Sequence, residues 1–171
     1  VAQVYRDYFY IGAGCKNLLS FGLFDLDAEP DVRKRKRFFP MGRMVAGKAG
    51  DVDPGKITED VKSSWYDSRS HLHPARGETS PSPHKAGAYS WLKAPRYDDD
   101  VYEVGPLARI AMAYHNKTHP KVTQLVDDAL ASLQVAPENL YSVMGRHLAR
   151  ALECKVVADE IGSMIMQVKL E

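Results

Sequence analysis

Apolar residues recur at intervals of three and four along the last third of the chain, a spacing typical of amphipathic helices. The first predicted helix begins at Gly105-Pro106, with proline at its first position. The second begins in the same way at Pro120. The third opens at Ala136-Pro137 and extends as far as Lys169, which makes it the longest element. Residues 106–171 are therefore predicted to form a helical bundle.

The long helix carries more small and apolar residues than one buried face requires. Its small residues would let a second backbone approach closely: Ala149, Ala151, Ala158 and Gly162. Apolar residues also lie beyond the stripe that would face the core: Val143, Val156, Val157 and Met164. We therefore expect the chain to expose apolar surface and to self-associate.

The first fifteen residues show a helical stripe that is rich in aromatic side chains. Apolar residues stand at positions 1, 4, 5, 8, 9 and 11, and Gly12 and Gly14 favour a helix end. Residues 18–26 follow as an extended segment. Residues 1–26 are therefore predicted to contain an aromatic helix and then extended chain.

The middle of the chain, residues 37–104, has the aromatic and β-branched composition of short strands. Strands are predicted at 38–48, 57–66 and 88–97, forming a small antiparallel sheet, and a proline-rich loop separates the last two. Trp65 and Trp91 each follow a serine in these runs. We expect both indoles to be buried on neighbouring strands. The predicted fold class is α+β, mostly α.

Composition narrows the classes of partner. Of 171 residues, 44% are hydrophobic and 26% are charged, which is ordinary for a globular protein. A net charge of +1 argues against a nucleic-acid partner, and the five cations Arg33 to Arg37 are interpreted as a solvated loop. No apolar run reaches about 18 residues, so no membrane span is predicted. The chain carries no recognisable targeting signal. Its start at Val1, within a helical stripe, is expected of an internal segment.

Several short motifs occur in a fixed order around and beyond the proline-rich loop. The first are Ser64-Trp65-Tyr66, His73-Pro74, Gly77-Glu78-Thr79 and Pro81. The next are YSWLKAPRY at Tyr89 to Tyr97 and EVGPLAR at Glu103 to Arg109. Two more lie at Gly145-Arg146 and at Ala149 to Glu153. In these motifs the chain resembles the large subunit of nickel-iron hydrogenases, of the uptake type.

The resemblance implies a parent protein that catalyses the reversible oxidation of H2 to protons and electrons. It implies a nickel-iron (Ni-Fe) centre elsewhere in the parent, because the family binds this centre with two Cys-x-x-Cys pairs and neither pair is in this chain. The implied partners are an iron-sulfur small subunit and the rest of the large subunit. The implied location is periplasmic, or membrane-associated through the partner.

On this interpretation residues 1–171 form a single internal scaffold segment of a larger subunit. The segment is inactive alone and contributes no catalytic, cofactor-binding or metal-binding residue. Its two cysteines, Cys15 and Cys154, are too few for such a centre. We expect both to be buried free thiols, although a disulfide between them stays open.

Six side chains in or near the motifs are candidates for supporting the parent site or its partner surface: His73, Glu78, Lys93, Arg96, Glu103 and Arg109. Arg96 stands between Pro95 and Tyr97, where its guanidinium can make bidentate bonds. One role for Arg96 is to fix the wall beside the cofactor or the contact to the small subunit. The other is a structural salt bridge to an acid such as Glu78 or Glu103.

Two further functions are compatible with the residues. One is a non-catalytic α+β module that binds a protein partner. The other is a small metal enzyme that uses His71, His73 and His84, since three imidazoles can hold a metal ion. A Ser-His-Asp triad from Ser64, His73 and Asp67 is disfavoured, because the chain has no Gly-x-Ser-x-Gly motif.

Overall fold

The computed structural model describes residues 1–67, 71–166 and 168. Within these residues the chain forms three α-helices and eight short strands, and the helices hold more residues than the strands. The α+β class is therefore confirmed.

Three helices make up the C-terminal half, as predicted: α1 (Pro106–Asn116), α2 (Pro120–Leu133) and α3 (Val143–Met166). Proline at the first position starts α1 and α2, because its fixed φ suits a helix and its missing N–H needs no partner. Each of these two helices ends where a residue takes a left-handed conformation.

The third helix begins later than predicted. Pro137–Leu140 forms a separate 3-10 turn, and α3 starts at Val143. Ser142 marks the break, since its hydroxyl accepts a hydrogen bond from the backbone N–H of Gly145 at 2.9 Å and donates one to the carbonyl oxygen of Asn139 at 2.7 Å. The predicted C-terminal end at Lys169 lies outside the described residues.

The strands form three small antiparallel sheets rather than one. Their bounds are β1 (Asn17–Ser20), β2 (Leu23–Asp25), β3 (Arg37–Phe39), β4 (Gly42–Val45), β5 (Lys48–Gly50), β6 (Ile57–Asp60), β7 (Ala94–Tyr97) and β8 (Asp100–Val101). Their orders are β1-β4-β5, β2-β3 and β6-β7-β8. The predicted strand at 38–48 is thus three short strands, because Pro40 and the turn at 46–47 interrupt it.

The predicted aromatic helix at the start of the chain is wrong. Turns occupy most of residues 1–15, and only Arg6–Tyr8 forms a 3-10 helix. Phe9 is buried, but Tyr5, Tyr8 and Tyr10 are exposed. A helical stripe stabilises a helix only when its apolar face is covered, and most of this one is not.

The predicted strands at 57–66 and 88–97 are only partly correct. They form at Ile57–Asp60 (β6) and Ala94–Tyr97 (β7), but residues 61–66 and 88–92 form no regular strand. One isolated bridge, between Ser64 and Ser90, joins these runs. A lysine side chain also binds two local carbonyl groups, since Lys85 Nζ donates to the carbonyl oxygens of Val61 and Tyr66 at 2.8 Å each. The regular pairing lies outside the two runs, between β6 and β7.

The main core lies where the β1-β4-β5 sheet and β3 pack on α1, and where α1 contacts α2 and α3. Its fully buried side chains include Leu18, Phe39, Ile110, Met112, Val122 and Val126. A smaller cluster of Leu19, Val52, Tyr97 and Tyr102 joins the β6-β7-β8 sheet to β1. Helix α1 is therefore the central element of the fold.

The cationic run at 33–37 is only partly a solvated loop. Arg33, Lys34 and Lys36 are exposed, but the side chain of Arg37 is 3% exposed. Its Nε donates to Asp25 at 2.8 Å and its Nη1 to the carbonyl oxygen of Val32 at 2.9 Å. No helix among the described residues is long and apolar enough to cross a membrane.

Candidate functional site

The candidate side chains lie on two neighbouring parts of the molecule. Lys93, Arg96, His73 and Glu78 surround the β6-β7-β8 sheet, which carries the proline-rich loop. Glu103 lies just before α1 and Arg109 lies in α1, and each has an ionic partner in α3.

Lys93 lies just before β7 and ties the loop to β6. Its ammonium is 3.3 Å from Glu59 Oε2 and 3.1 Å from the hydroxyl oxygen of Thr79. It also lies 5.6 Å from the ring centre of Tyr66, within range of a cation–π contact. Lys93 therefore holds three different segments together.

Arg96 pairs with Asp60, not with Glu78 or Glu103 as predicted. Its Nη2 donates to Asp60 Oδ2 at 3.0 Å, and its Nη1 donates to the carbonyl oxygen of Pro95. Strand register explains the partner, because β6 and β7 align antiparallel with Thr58 opposite Arg96. Both side chains of the pair are less than one-fifth exposed. Arg96 therefore forms a salt bridge within this segment, and its role at the parent site or partner surface stays a prediction.

Glu103 forms a two-bond ion pair with Arg146 of α3. The two guanidinium nitrogens Nε and Nη2 each lie 2.6 Å from a carboxylate oxygen. Arg146 Nη1 donates to the carbonyl oxygen of Gly12, and a Cβ at Gly14 would lie 2.6 Å from Nη2. The hydrogen bond to Glu103 raises the pKa of Arg146. This arginine clamps the N-terminal loop, the segment after β8 and α3 together.

Arg109 makes the equivalent link between α1 and α3. Its Nη2 donates to Glu153 Oε2 at 3.0 Å, and its Nε donates to the other oxygen. The side chain of Glu153 is 11% exposed. Arg146 and Glu153 are seven residues apart, or two turns of α3, so both pairs lie on the same side of that helix.

His73 and Arg109 both line a mostly apolar groove of about 470 Å³. Its walls include Leu19, Ile57 and Val104. His73 Nδ1 accepts a hydrogen bond from the backbone N–H of Ala75 at 3.1 Å and so caps the 3-10 turn Pro74–Arg76. Glu78 lies nearby in the chain and is exposed.

The two tryptophans contact each other, but they do not fill a core. The rings of Trp65 and Trp91 lie 5.2 Å apart, and Tyr66 lies 5.6 Å from Trp91. Trp91 is 47% exposed and Trp65 is half-buried. The prediction of two buried indoles on neighbouring strands is therefore wrong, although their proximity was expected.

The structure brings together neither the three-histidine metal site nor the Ser-His-Asp triad. His71 Nδ1 lies 3.0 Å from Asp99, His73 caps its own turn, and His84 is exposed. The Ser64 hydroxyl donates to the carbonyl oxygen of Leu92 rather than to a histidine. Among the described residues, no group of three or more His, Cys, Asp or Glu side chains could hold a metal ion.

Sequence reasoning missed four residues that complete these pairs: Glu59, Asp60, Arg146 and Glu153. Two of them, Arg146 and Glu153, stand inside the downstream motifs, and their seven-residue interval, which places them on the same side of a helix, was a usable signal. Glu59 and Asp60 depend on a strand register that the chain pattern does not fix.

Comparison with known proteins identifies the family. The family model for nickel-dependent hydrogenases (NiFeSe hydrogenases) matches residues 1–171. The chain belongs to the nickel-dependent hydrogenase family. The large-subunit resemblance read from the motifs is thereby confirmed.

Relatives within the family include more than one hydrogenase type. The chain is 36% identical over 176 residues to the periplasmic NiFeSe hydrogenase large subunit of Desulfomicrobium baculatum, and the match covers 99% of this chain and 33% of that protein. It is 34% identical over 180 residues to the uptake hydrogenase large subunit of Rhizobium leguminosarum bv. viciae, covering 90% of this chain and 30% of that one. The chain thus spans about a third of the length of these relatives.

Solved hydrogenase structures share the fold. The NiFeSe hydrogenase of Dm. baculatum superimposes with a TM-score of 0.72 at 35% identity, over 98% of this chain and 35% of that one. A variant of the NiFeSe hydrogenase from Desulfovibrio vulgaris Hildenborough gives a TM-score of 0.70 at 37% identity, with the same coverage.

The donor atoms of this chain do not fit a Ni-Fe centre. Such a centre takes several thiolates that converge on one point. Cys15 and Cys154 are free and exposed, so the prediction of buried thiols is wrong, and the structure shows no disulfide between them. Cys15 follows the loop that Arg146 clamps, whereas Cys154 lies on α3, next to Glu153.

Proposed function

We propose that residues 1–171 are a scaffold segment of a hydrogenase large subunit whose whole enzyme catalyses the reversible oxidation of H2 to two protons and two electrons. The observation that carries the proposal is the family match over residues 1–171. The similarity to solved hydrogenases over 98% of the chain supports it. The contacts of α1 with both the sheets and the other helices support a single segment.

The proposed contribution of this segment is to position chain rather than to bind metal. Lys93 and Arg96 fix the loop against β6, and Arg109 and Arg146 fix α1 and the N-terminal loop against α3. The Ni-Fe centre would be held by cysteines elsewhere in the parent subunit. When bound, that centre would provide the chemistry that cleaves H2. No residue of this chain is proposed to take part in the reaction.

The groove beside His73 is the proposed docking surface for an iron-sulfur small subunit. It is open and apolar, and exposed Phe21 and Val104 contribute to its rim. A 470 Å³ groove of this composition suits the insertion of an apolar side chain from a partner. His73 and Arg109 add polar atoms at its edges. Exposed Glu78 belongs to the same proposed surface.

The finer type is proposed as a nickel-iron uptake hydrogenase. The order of the loop motifs supports it, and so do uptake large subunits among the relatives. We propose a periplasmic or partner-mediated membrane location, because the Dm. baculatum relative is a periplasmic hydrogenase. Selenium analysis of the purified enzyme tests the type: its absence agrees with a nickel-iron enzyme, and one selenium per large subunit would assign the NiFeSe type.

Two exposed valines provide a matched test of the docking surface. Val104 and Val101 are both 50% exposed, but only Val104 lines the groove. In the full-length enzyme, Val104→Arg should reduce co-purification of the small subunit, because it places a charge in an apolar contact. Val101→Arg should leave co-purification unchanged. Equal recovery of the small subunit with both variants would contradict the proposed surface.

Nickel content and H2 uptake by the purified full-length protein test the function itself. The expected result is about one nickel per large subunit together with H2-dependent reduction of a dye acceptor, as metal-assisted cleavage requires a bound centre. The 171-residue chain alone should show neither property. Full-length protein that lacks both would instead support a non-catalytic module that binds a protein partner.

A further inference from the structure

Helix α3 has a second apolar seam on the side that faces away from the core. Its buried face is formed by Gly145, Ala149, Leu152, Glu153 and Val156. On the opposite side stand the residues that we call the outer seam: Ala151, Cys154, Ala158, Ile161 and Ile165. All five are exposed, and Ile161 and Ile165 are 52% and 61% exposed.

The spacing within the outer seam is that of a helix–helix contact. Its members follow one another at intervals of 3, 4, 3 and 4 residues, the a/d pattern of packed helices. The seam is about 21 Å long at 1.5 Å per residue. A helix that lies on a solvated face normally carries polar residues at such positions. Here the apolar pattern continues for two heptads.

Residue size along the seam specifies the kind of contact. Ala151, Cys154 and Ala158 are small, so a second helix can approach closely there, and side chains of that helix can cover the seam. Gly162 beside the seam has no atom within 4 Å of an ideal Cβ position. The two isoleucines then offer larger apolar knobs at the C-terminal end.

Charged residues on either side of the outer seam indicate the charge of a helix that would pack on it. His147 and Arg150 are exposed beside the N-terminal end of the seam, and Lys155 stands on its other side. Lys155 is paired with Asp159 one turn on, whereas Val157 and Met164 pack against the core. A matching helix should therefore place an acidic side chain near Arg150 and apolar side chains over the alanines.

We infer that the outer seam docks an amphipathic helix from the part of the large subunit that lies outside residues 1–171. The inference rests on the proposed function. The relatives are about three times as long as this chain, since the match covers 33% of one and 30% of another. A parent of that length has enough further chain to supply the occupant.

Cys154 lies in the middle of the seam and reports its coverage without any substitution. In the full-length native enzyme, N-ethylmaleimide should modify Cys154 at least about 100-fold more slowly than in urea, as reaction then requires local opening. Mass spectrometry of the Cys154 peptide measures the rate. A native rate within about 10-fold of the rate in urea would overturn the inference. Protection that disappears on dilution would assign the seam to a second copy and would also overturn it.

Two exposed alanines give the matched substitution. Ala158 lies in the seam and Ala131 lies on α2, and both are exposed helical residues. In the full-length enzyme Ala158→Arg should lower the Tm by at least about 5 °C, because a charge enters a packed interface, and Ala131→Arg should not. An unchanged Tm for Ala158→Arg would overturn the inference. Neither readout depends on metal or activity, so full-length protein without nickel but with a protected Cys154 would contradict the proposed function alone.

Discussion

At the scale of single residues, the charged side chains of the motifs are joined into pairs that connect segments far apart in the chain. Arg96, Arg109 and Glu103 each have an ionic partner from another element. The sequence identified these three residues, but it predicted the wrong acid for Arg96. The partner Asp60 is chosen by the register of β6 on β7, which the hydrophobic pattern leaves open.

The Arg146 clamp gives a test at this scale. Arg146→Ala should lower the free energy of unfolding of the 171-residue chain by about 1.5–3 kcal/mol, because Glu103 and the carbonyl of Gly12 lose a charged donor. Urea titration followed by circular dichroism measures the change. Arg150→Ala is the control, since Arg150 is exposed on the same helix. Equal effects of the two substitutions would show that the clamp adds nothing.

Asp25 gives a pH-dependent test. Hydrogen bonds from Arg35 and Arg37, that from Arg35 being the stronger influence, lower the pKa of Asp25 below its ordinary 3.8. A lowered folded-state pKa stabilises the fold above about pH 3.8, and the contribution is lost as the pH falls through the folded pKa. Asp25→Asn should therefore be less stable than the parent chain at pH 7, and the difference should shrink in acid. Urea midpoints at pH 7 and at pH 3 measure both quantities. A difference that does not change with pH would contradict the assignment, and Asp7→Asn is the exposed control.

At the scale of elements, helices were more predictable than strands. Proline starts at Pro106 and Pro120 are local signals, and both were correct. The predicted strands at 57–66 and 88–97 formed only at 57–60 and 94–97, and beyond β6 the Lys85 side chain binds two of the local carbonyl groups. The prediction of an N-terminal helix was wrong for another reason: its aromatic face has little protein to pack against within the described residues.

The start of α3 supports a prediction about glycine. A Cβ at Gly145 would lie 2.1 Å from the carbonyl oxygen of Leu140, so Gly145→Ala must displace the preceding 3-10 turn. We expect a loss of stability of about 1–3 kcal/mol, as for other overpacked sites. Gly162→Ala on the same helix meets no atom within 4 Å and should stabilise the 171-residue chain by about 0.5–1 kcal/mol. Thermal unfolding of both variants measures the contrast, and similar shifts would contradict it.

At the scale of the whole molecule, large apolar side chains of the described residues are exposed in several places, of which three matter here. They lie in the N-terminal turns (Tyr8, Tyr10), in the loop before β7 (Trp91, Leu92) and on α3 (Ile165). The sequence predicted exposed apolar surface on α3 correctly at Val143, but Val156 faces the core. The spacing of apolar residues shows which of them share a side of the helix, and the tertiary fold decides which side is covered.

These exposed residues should make the 171-residue chain self-associate. Apolar patches of this kind favour association when no partner covers them. Sedimentation velocity across a dilution series should show species larger than 19.1 kDa at the higher concentrations. A monomer at every concentration would indicate that the patches are too small or too dispersed to drive association.

The central claim is that this segment supports a hydrogenase large subunit without supplying a metal ligand. The most direct test combines Cys15→Ser and Cys154→Ala in the full-length enzyme and measures nickel per large subunit alongside H2 uptake. We expect the unsubstituted enzyme to hold about one nickel and to oxidise H2, and the double variant to retain both properties, since its centre is bound by other cysteines. Loss of nickel from the double variant, or the absence of nickel and H2 uptake in the unsubstituted enzyme, would contradict it.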